Sequence, residues 1–166
     1  MKKLFMAALL SSLFTTSALA AEATITVTAN VDPVVELRNA DGSLLSQTLQ
    51  MGYTPGVGLD GIDLPTRIFS NDQSKGVKVR LASSAQLTHI SDTSVTAIPL
   101  RVSLNGSALS TTETTLAANT LFNDTTAGAP GQSVILPLKI EQTTKAPVTT
   151  AGTYQGLVQL ILAQGS

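Results

Sequence analysis

Residues 23–31 read Ala23-Thr24-Ile25-Thr26-Val27-Thr28-Ala29-Asn30-Val31. Every odd position is apolar and every even one is Thr or Asn. Successive side chains of a strand point to opposite faces, so this is a strand with one dry face made of Ile25, Val27, Ala29 and Val31. Asp32-Pro33 ends it, because proline has no N–H to give to a ladder. A strand this regular near a chain terminus can pair outside its own domain. It can equally be the first strand of a self-sufficient sandwich, and the pattern alone leaves both open.

What precedes it is an export leader. Lys2 and Lys3 stand before an apolar stretch from Leu4 to Phe14, followed by Ala18-Leu19-Ala20. That order of basic, apolar and Ala-x-Ala segments predicts a signal peptide over 1–20, cut between Ala20 and Ala21. An apolar stretch of about eleven residues is too short to cross a bilayer. The mature chain is expected to have roughly 146 residues, enough for one domain with a proper core. It divides into an N-terminal extension over 21–33 and a domain over 34–166.

Composition narrows the class. There is no cysteine, although an exported protein could use disulfides, so stability has to come from packing and strand pairing. Removing the leader with its two lysines leaves eight basic against eleven acidic residues, a net charge of −3. So weak a charge argues against a nucleic-acid partner. Only 13% of residues are charged, which suits a small β-protein with a Thr/Ser exterior or one covered by neighbours.

The remaining pattern is strand and turn, with no convincing helix. Val34 to Leu37 precedes an Asp41-Gly42 turn, and a further strand is expected over Leu44 to Met51. Gly52 to Asp63, rich in Gly and Pro, reads as a long loop. Val77, Val79 and Leu81 alternate with Lys78 and Arg80. Ile98, Leu100, Val102 and Leu104 alternate with Pro99, Arg101 and Ser103, and Asn105-Gly106 then gives a strong hairpin signal. Val134, Leu136, Leu138 and Ile140 form another alternating run. The last strand, Tyr154 to Ala163, is apolar on both faces through Leu157, Val158, Leu160, Ile161 and Leu162. Short strands separated by turns predict an antiparallel sandwich. Pro99 and Pro137 predict that their strands lie at edges or bulges.

No stretch reads as an active site. Gly56-Val57-Gly58-Leu59-Asp60-Gly61 matches the dinucleotide fingerprint, but that motif works only between a strand and a helix, and Leu64-Pro65 follows. His89, the only histidine, has Asp92 as its sole close acid, and a hydrogen-bonded structural role accounts for it without catalysis. Asp60 and Asp63 are explained by loop solvation as well as by paired-carboxylate or calcium chemistry. The sequons at Asn105 and Asn123 matter only in a glycosylating pathway. No cofactor, no metal and no enzymatic activity are expected. A terminal strand that can leave its domain and a last strand apolar on both faces together suggest a sandwich with a strand missing, cured by β-strand addition from another molecule.

Several of these stretches resemble the major pilins of class 5 enterobacterial fimbriae, the colonisation-factor-antigen-I-type or alternate chaperone–usher group. The resemblance runs through Ile25 to Pro33, Ser70-Asn71-Asp72, Lys75 to Leu81, Leu109 to Thr112, and Ala151 to Val158 with Leu160-Ile161-Leu162. The loops over 52–66 and 113–132 match poorly. The resemblance implies an all-β fold, an incomplete immunoglobulin-like antiparallel sandwich completed by a donor strand from a neighbouring subunit. It implies that Ile25, Val27, Ala29 and Val31 enter the neighbour and that Asp32-Pro33 is a hinge. The candidate acceptor groove strand is then Tyr154, Leu157, Val158, Leu160, Ile161 and Leu162. Implied partners are other copies of the chain in a head-to-tail polymer, a periplasmic chaperone, an outer-membrane usher and a tip adhesin. The implied product is the shaft of an extracellular fimbria used in host-surface colonisation. The runner-up is a monomeric exported carbohydrate-binding adhesin.

Overall fold

The computed structural model describes residues 26–29, 31–32, 34–123 and 131–165. The leader over 1–20, the cleavage pair Ala20 and Ala21, Ile25 and Pro33 lie outside the described residues. The chain divides into two units, Met1–Val31 and Asp32–Ser166. Among the described residues, all regular elements belong to the second.

In chain order the strands are β1 (Val35–Asn39), β2 (Tyr53–Thr54), β3 (Gly58–Leu59), β4 (Ile62–Ser70), β5 (Val77–Leu81) and β6 (Gln86–His89). There follow β7 (Ile98–Leu104), β8 (Ser107–Ala108), β9 (Thr114–Leu116) and a one-turn helix α1 (Ala118–Leu121). The chain ends with β10 (Leu136–Gln142), β11 (Tyr154–Gln155) and β12 (Leu160–Gln164). The larger sheet has the order β1-β4-β10-β7-β6-β11, with β8 folded back on β7. The smaller is β12-β5-β9, and β2 with β3 makes a separate hairpin. Every strand pair is antiparallel.

Alternation sets the core. β5 buries Val77, Val79 and Leu81 and leaves Lys78 and Arg80 partly exposed. β10 does the same with Leu136, Leu138 and Ile140. Ile68, Val102 and Leu104 join them, so both sheets contribute to a single cluster of buried side chains. Asn105 and Gly106 both have positive φ, 50° and 78°, the backbone that a tight hairpin between right-twisted strands demands. The sequence pattern does not announce α1; it drops the wholly buried Leu121 into the core, and the Leu121 carbonyl accepts from Val134 N at 2.8 Å.

Three expectations need correction. Pro99 and Pro137 do not mark edges, since β7 and β10 are interior strands. Each proline instead lies where a ladder runs out. Pro137 stands opposite Asn105, whose N donates to it just as β7 turns away, and Pro99 accepts from Thr143, one residue past β10. A missing N–H is harmless there. The second correction is that part of the Gly52 to Asp63 loop is a hairpin, β2–β3, followed by the nine-residue strand β4. The third concerns Leu44 to Met51, which has no ladder partner, because β1 pairs with β4 rather than across the Asp41-Gly42 turn.

Among the described residues, Arg67 Nε is the one buried side-chain nitrogen or oxygen without a hydrogen-bond partner, although Nη1 of the same guanidinium donates to Ser133 O at 2.6 Å. Ser133 is fully buried; its Oγ accepts from Ile68 N at 2.9 Å and donates to Val134 O at 2.7 Å. Ser133→Ala strands the Ile68 amide in the core and is expected to cost about 1–3 kcal/mol, readable as a lowered midpoint in chemical denaturation. At the surface, Asp41, Asp72 and Asp92 each accept from the hydroxyl and then the amide of the serine two residues on, which holds their carboxyls below the ordinary range. These Asp-x-Ser turns close three of the bends between elements.

Candidate subunit-joining site

The inner face of the larger sheet is covered along only part of its length. On β4 the inward residues Thr66, Ile68 and Ser70 are buried, whereas Ile62 and Leu64, on the same face, are only partly so. On β7 Val102 and Leu104 are buried, while Leu100 is partly open. The smaller sheet is three short strands and cannot reach this end. What remains is an apolar groove of about 200 Å³ with Ile62, Leu64, Leu100 and Leu138 on its floor. That is below the roughly 300–1,000 Å³ of small-molecule sites, and its lining is mostly apolar, with Ser46 and Gln47 as the polar side chains.

Its two rims are backbone with at most one ladder partner. One is the segment 44–51, which is in no strand and contributes Leu45, Ser46, Gln47, Leu49 and Met51. The other is the last part of the chain, which contributes Leu157, Val158 and Leu160. Residues 156–159 are in no strand, and β12 pairs with β5 on one side only. Leu157 is 75% exposed and Leu44 is 74% exposed. An apolar floor between a segment outside every ladder and a strand paired on one side only is what a sheet looks like where one strand has been left out.

The six residues proposed for the acceptor strand separate. Leu157, Val158 and Leu160 line the groove. Tyr154 does not; it lies in β11, its ring edge-on to His89 with centroids 5.0 Å apart. Ile161 and Leu162 lie on β12, opposite Arg80 and Val79 of β5, and Leu162 packs on the core. The single strand expected over 154–163 is thus two, joined by a sheet switch at 156–159, where Gly156 passes so close to Gln86 O that a Cβ would strike it. The rim residues Leu45, Leu49 and Met51 and the floor residues Ile62 and Leu64 are absent from the sequence-based site. The alternation Ile62, Leu64, Thr66, Ile68 is a usable signal, masked by Pro65 and by a threonine on the dry face.

Of the extension, Val27 is 86% and Val31 74% exposed, and Ala29 and Asp32 are exposed too. Asp32 O accepts from the Asn71 side chain at 2.7 Å.

Other candidate chemistry resolves into structure. The glycine-rich 56–61 run forms the β2–β3 turn and leads into a strand, not a helix, so it lacks the N-terminus that would receive a pyrophosphate. Gly58, at φ 123°, presses on Ala146 O and the Gln142 amide, leaving no room for a Cβ. His89 Nε2 lies 3.2 Å from Ala151 O, so it donates, and Nδ1 accepts from Asp92 N at 3.0 Å. Asp92 bonds Ser94 rather than the imidazole, so no base–carboxylate pair forms. Asp60 accepts from Thr54 and lies 3.8 Å from Lys145 Nζ.

Residues 21–163 match the CS1 type fimbrial major subunit family. The chain belongs to that family. It is 37% identical over 169 residues to a CFA/I fimbrial subunit from Escherichia coli O78:H11, covering 99% of this chain and 98% of that one. It is 37% identical over 171 residues to a CS1 fimbrial subunit from Escherichia coli, covering 100% and 99%. Its fold matches the CooA pilin subunit from enterotoxigenic Escherichia coli with a TM-score of 0.66 and 31% identity, over 78% of this chain and 86% of that chain. The fold is therefore the immunoglobulin-like pilin fold, and the chain is a structural fimbrial subunit that polymerises with other subunits into an extracellular fimbria. The family is one of structural subunits, and no observation supports the monomeric carbohydrate-binding alternative.

Proposed function

We propose that this CS1-type pilin forms the shaft of an adhesive fimbria by donor-strand complementation, each copy supplying the strand that completes the next. Ile25, Val27, Ala29 and Val31 enter the neighbour's groove, and Thr24, Thr26, Thr28 and Asn30 face outward. Asp32-Pro33 is the hinge between extension and domain. The observation that carries this reading is the groove itself, an apolar floor bounded by a segment outside every ladder and by a strand paired on one side only, in a chain that also carries a nine-residue alternating segment.

The energetics suit a long-lived joint. Burying three β-branched side chains and an alanine is favourable by about 5–9 kcal/mol. Each main-chain hydrogen bond adds a net of about 0.5–1.5 kcal/mol. The ordering of a free terminus opposes both. A head-to-tail contact of this type does not close on itself, so a filament grows. The exposed groove would aggregate before assembly, which calls for a periplasmic chaperone to occupy it and an outer-membrane usher to exchange the chaperone for a donor strand. Passage through the periplasm requires the leader over 1–20 to be cut between Ala20 and Ala21. A tip adhesin would cap the shaft.

The test removes the strand and returns it separately. A subunit lacking residues 21–31 should form no ladder of oligomers in unheated gels. A synthetic peptide of residues 22–31, at a hundred times its Kd, should stabilise it by about 2.7 kcal/mol, a rise in Tm of roughly 5–10 °C. A truncated subunit that is already a stable closed monomer, indifferent to the peptide, overturns the reading.

A further inference from the structure

We propose that the side chain of Asn71 is a clamp that fixes where the N-terminal extension leaves the domain, and so limits the bending of the joint between successive subunits. The inference rests on the donor-strand reading above. Asn71 Nδ2 donates to Asp32 O at 2.7 Å, and Val34 N donates to Asn71 Oδ1 at 3.0 Å. One side chain thus grips the backbone on both sides of Pro33. A primary amide carries the same donor and acceptor as a peptide group. Here it stands in for one residue of a partner strand, bonding Asp32 O and Val34 N.

Its position follows from the register. Val35 is opposite Ser70 at the end of the β1–β4 ladder, and Asn71 is the next residue beyond β4. The ladder is therefore extended by a side chain after its strand has ended. The Asn71 amide also approaches Val34 O, at 3.4 Å.

The clamp is itself anchored. Ser70 N donates to Gly131 O at 2.8 Å, Asp72 N to Ser70 Oγ at 3.2 Å, and Ser74 N to Asp72 Oδ1 at 3.0 Å. Gln164 Nε2, at the end of β12, reaches Asp72 O at 3.4 Å. A turn held from three sides cannot follow a swinging extension. Bending at residues 32–34 must break the Asn71 bonds, and with them intact it is displaced to residues before Asp32.

Asn71→Ala removes both bonds, Asn71→Asp keeps only the acceptor for Val34 N, and Gln73→Ala is a control in the same turn. Each is expressed as the full chain with its assembly partners, and filaments are studied by hydrogen exchange and electron microscopy. In Asn71→Ala filaments the peptide covering residues 31–38 should exchange about three- to tenfold faster at its first amides, and filament persistence length should fall. Asn71→Asp should bend as freely while Val34 stays protected, and Gln73→Ala should match the parent.

Unchanged exchange and unchanged curvature in Asn71→Ala overturn the clamp and leave donor-strand assembly standing. So does a loss of filaments from both Asn71 variants at parental subunit stability, since a group that only steers the extension is dispensable for assembly. Parental filaments in which residues 25–31 exchange freely overturn the donor-strand reading instead.

Discussion

Val27→Asp subunits are expected to be exported and to fold, and to form no filaments. Val27 is on the apolar face of the proposed donor strand, and its side chain is exposed in the unassembled protein, so folding has little to lose. In the proposed joint it enters an apolar groove. The substitution forfeits the burial of valine and places a carboxyl, ionised or protonated, where nothing polar receives it. Together these cost about 3–5 kcal/mol of the joint, a weakening by roughly two to four orders of magnitude. Thr28→Asp, one residue on, points to the opposite face and should assemble, because the side-chain period of a strand is 2. Electron microscopy and unheated gels of both variants measure the contrast. Abundant filaments from Val27→Asp, or equal failure of the two, would remove the assignment of faces.

Leu157→Asp should stop assembly from the other side of the same joint. Leu157 is 75% exposed on the rim of the apolar groove, where a donor strand would cover it. The isolated domain should therefore keep its Tm within about 2–4 °C, the shift that 1 kcal/mol produces in a chain of this size. Under a donor strand the new carboxylate would be desolvated opposite apolar side chains. Mixing gives the sharper result. Val27→Asp subunits keep an intact groove, and Leu157→Asp subunits keep an intact donor strand. Neither should polymerise alone, yet the pair should form a one-to-one complex that grows no further, since the free donor is Val27→Asp and the free groove is Leu157→Asp. Light scattering or native mass spectrometry of the mixture would show a dimer. Longer ladders, or no dimer at all, would count against a joint of one groove and one strand.

How far the chain can be read in advance depends on how local the cause is. Val77 to Leu81 and Leu136 to Ile140 alternate because one face of each strand is buried, and that periodicity is written in neighbouring residues. The Asn105-Gly106 turn is legible for the same reason, since left-handed backbone selects those residue types locally. β4 is hidden because its buried face carries two hydroxyl residues, Ser70, which bonds the Asp72 backbone just beyond the strand, and Thr66, whose partner comes from elsewhere in the chain. Thr66 Oγ1 donates to Leu136 O, seventy positions away, and no local pattern announces that.

The groove is half legible. Leu157, Val158 and Leu160 stand out as apolar on both faces, but Tyr154 belongs with His89, and the rim over 44–51 reads as a paired strand when it has no ladder partner. The amino-acid order alone determined that the domain makes strands, which face of most of them is dry, and that one regularly alternating segment precedes Pro33. It could do so because alternation and turn chemistry act between neighbours. Only the tertiary structure decided which strands are interior, where the chain changes sheet before β12, and which end of the inner face stays bare. Those depend on contacts between residues far apart in sequence, and on a smaller sheet too short to cover the larger one.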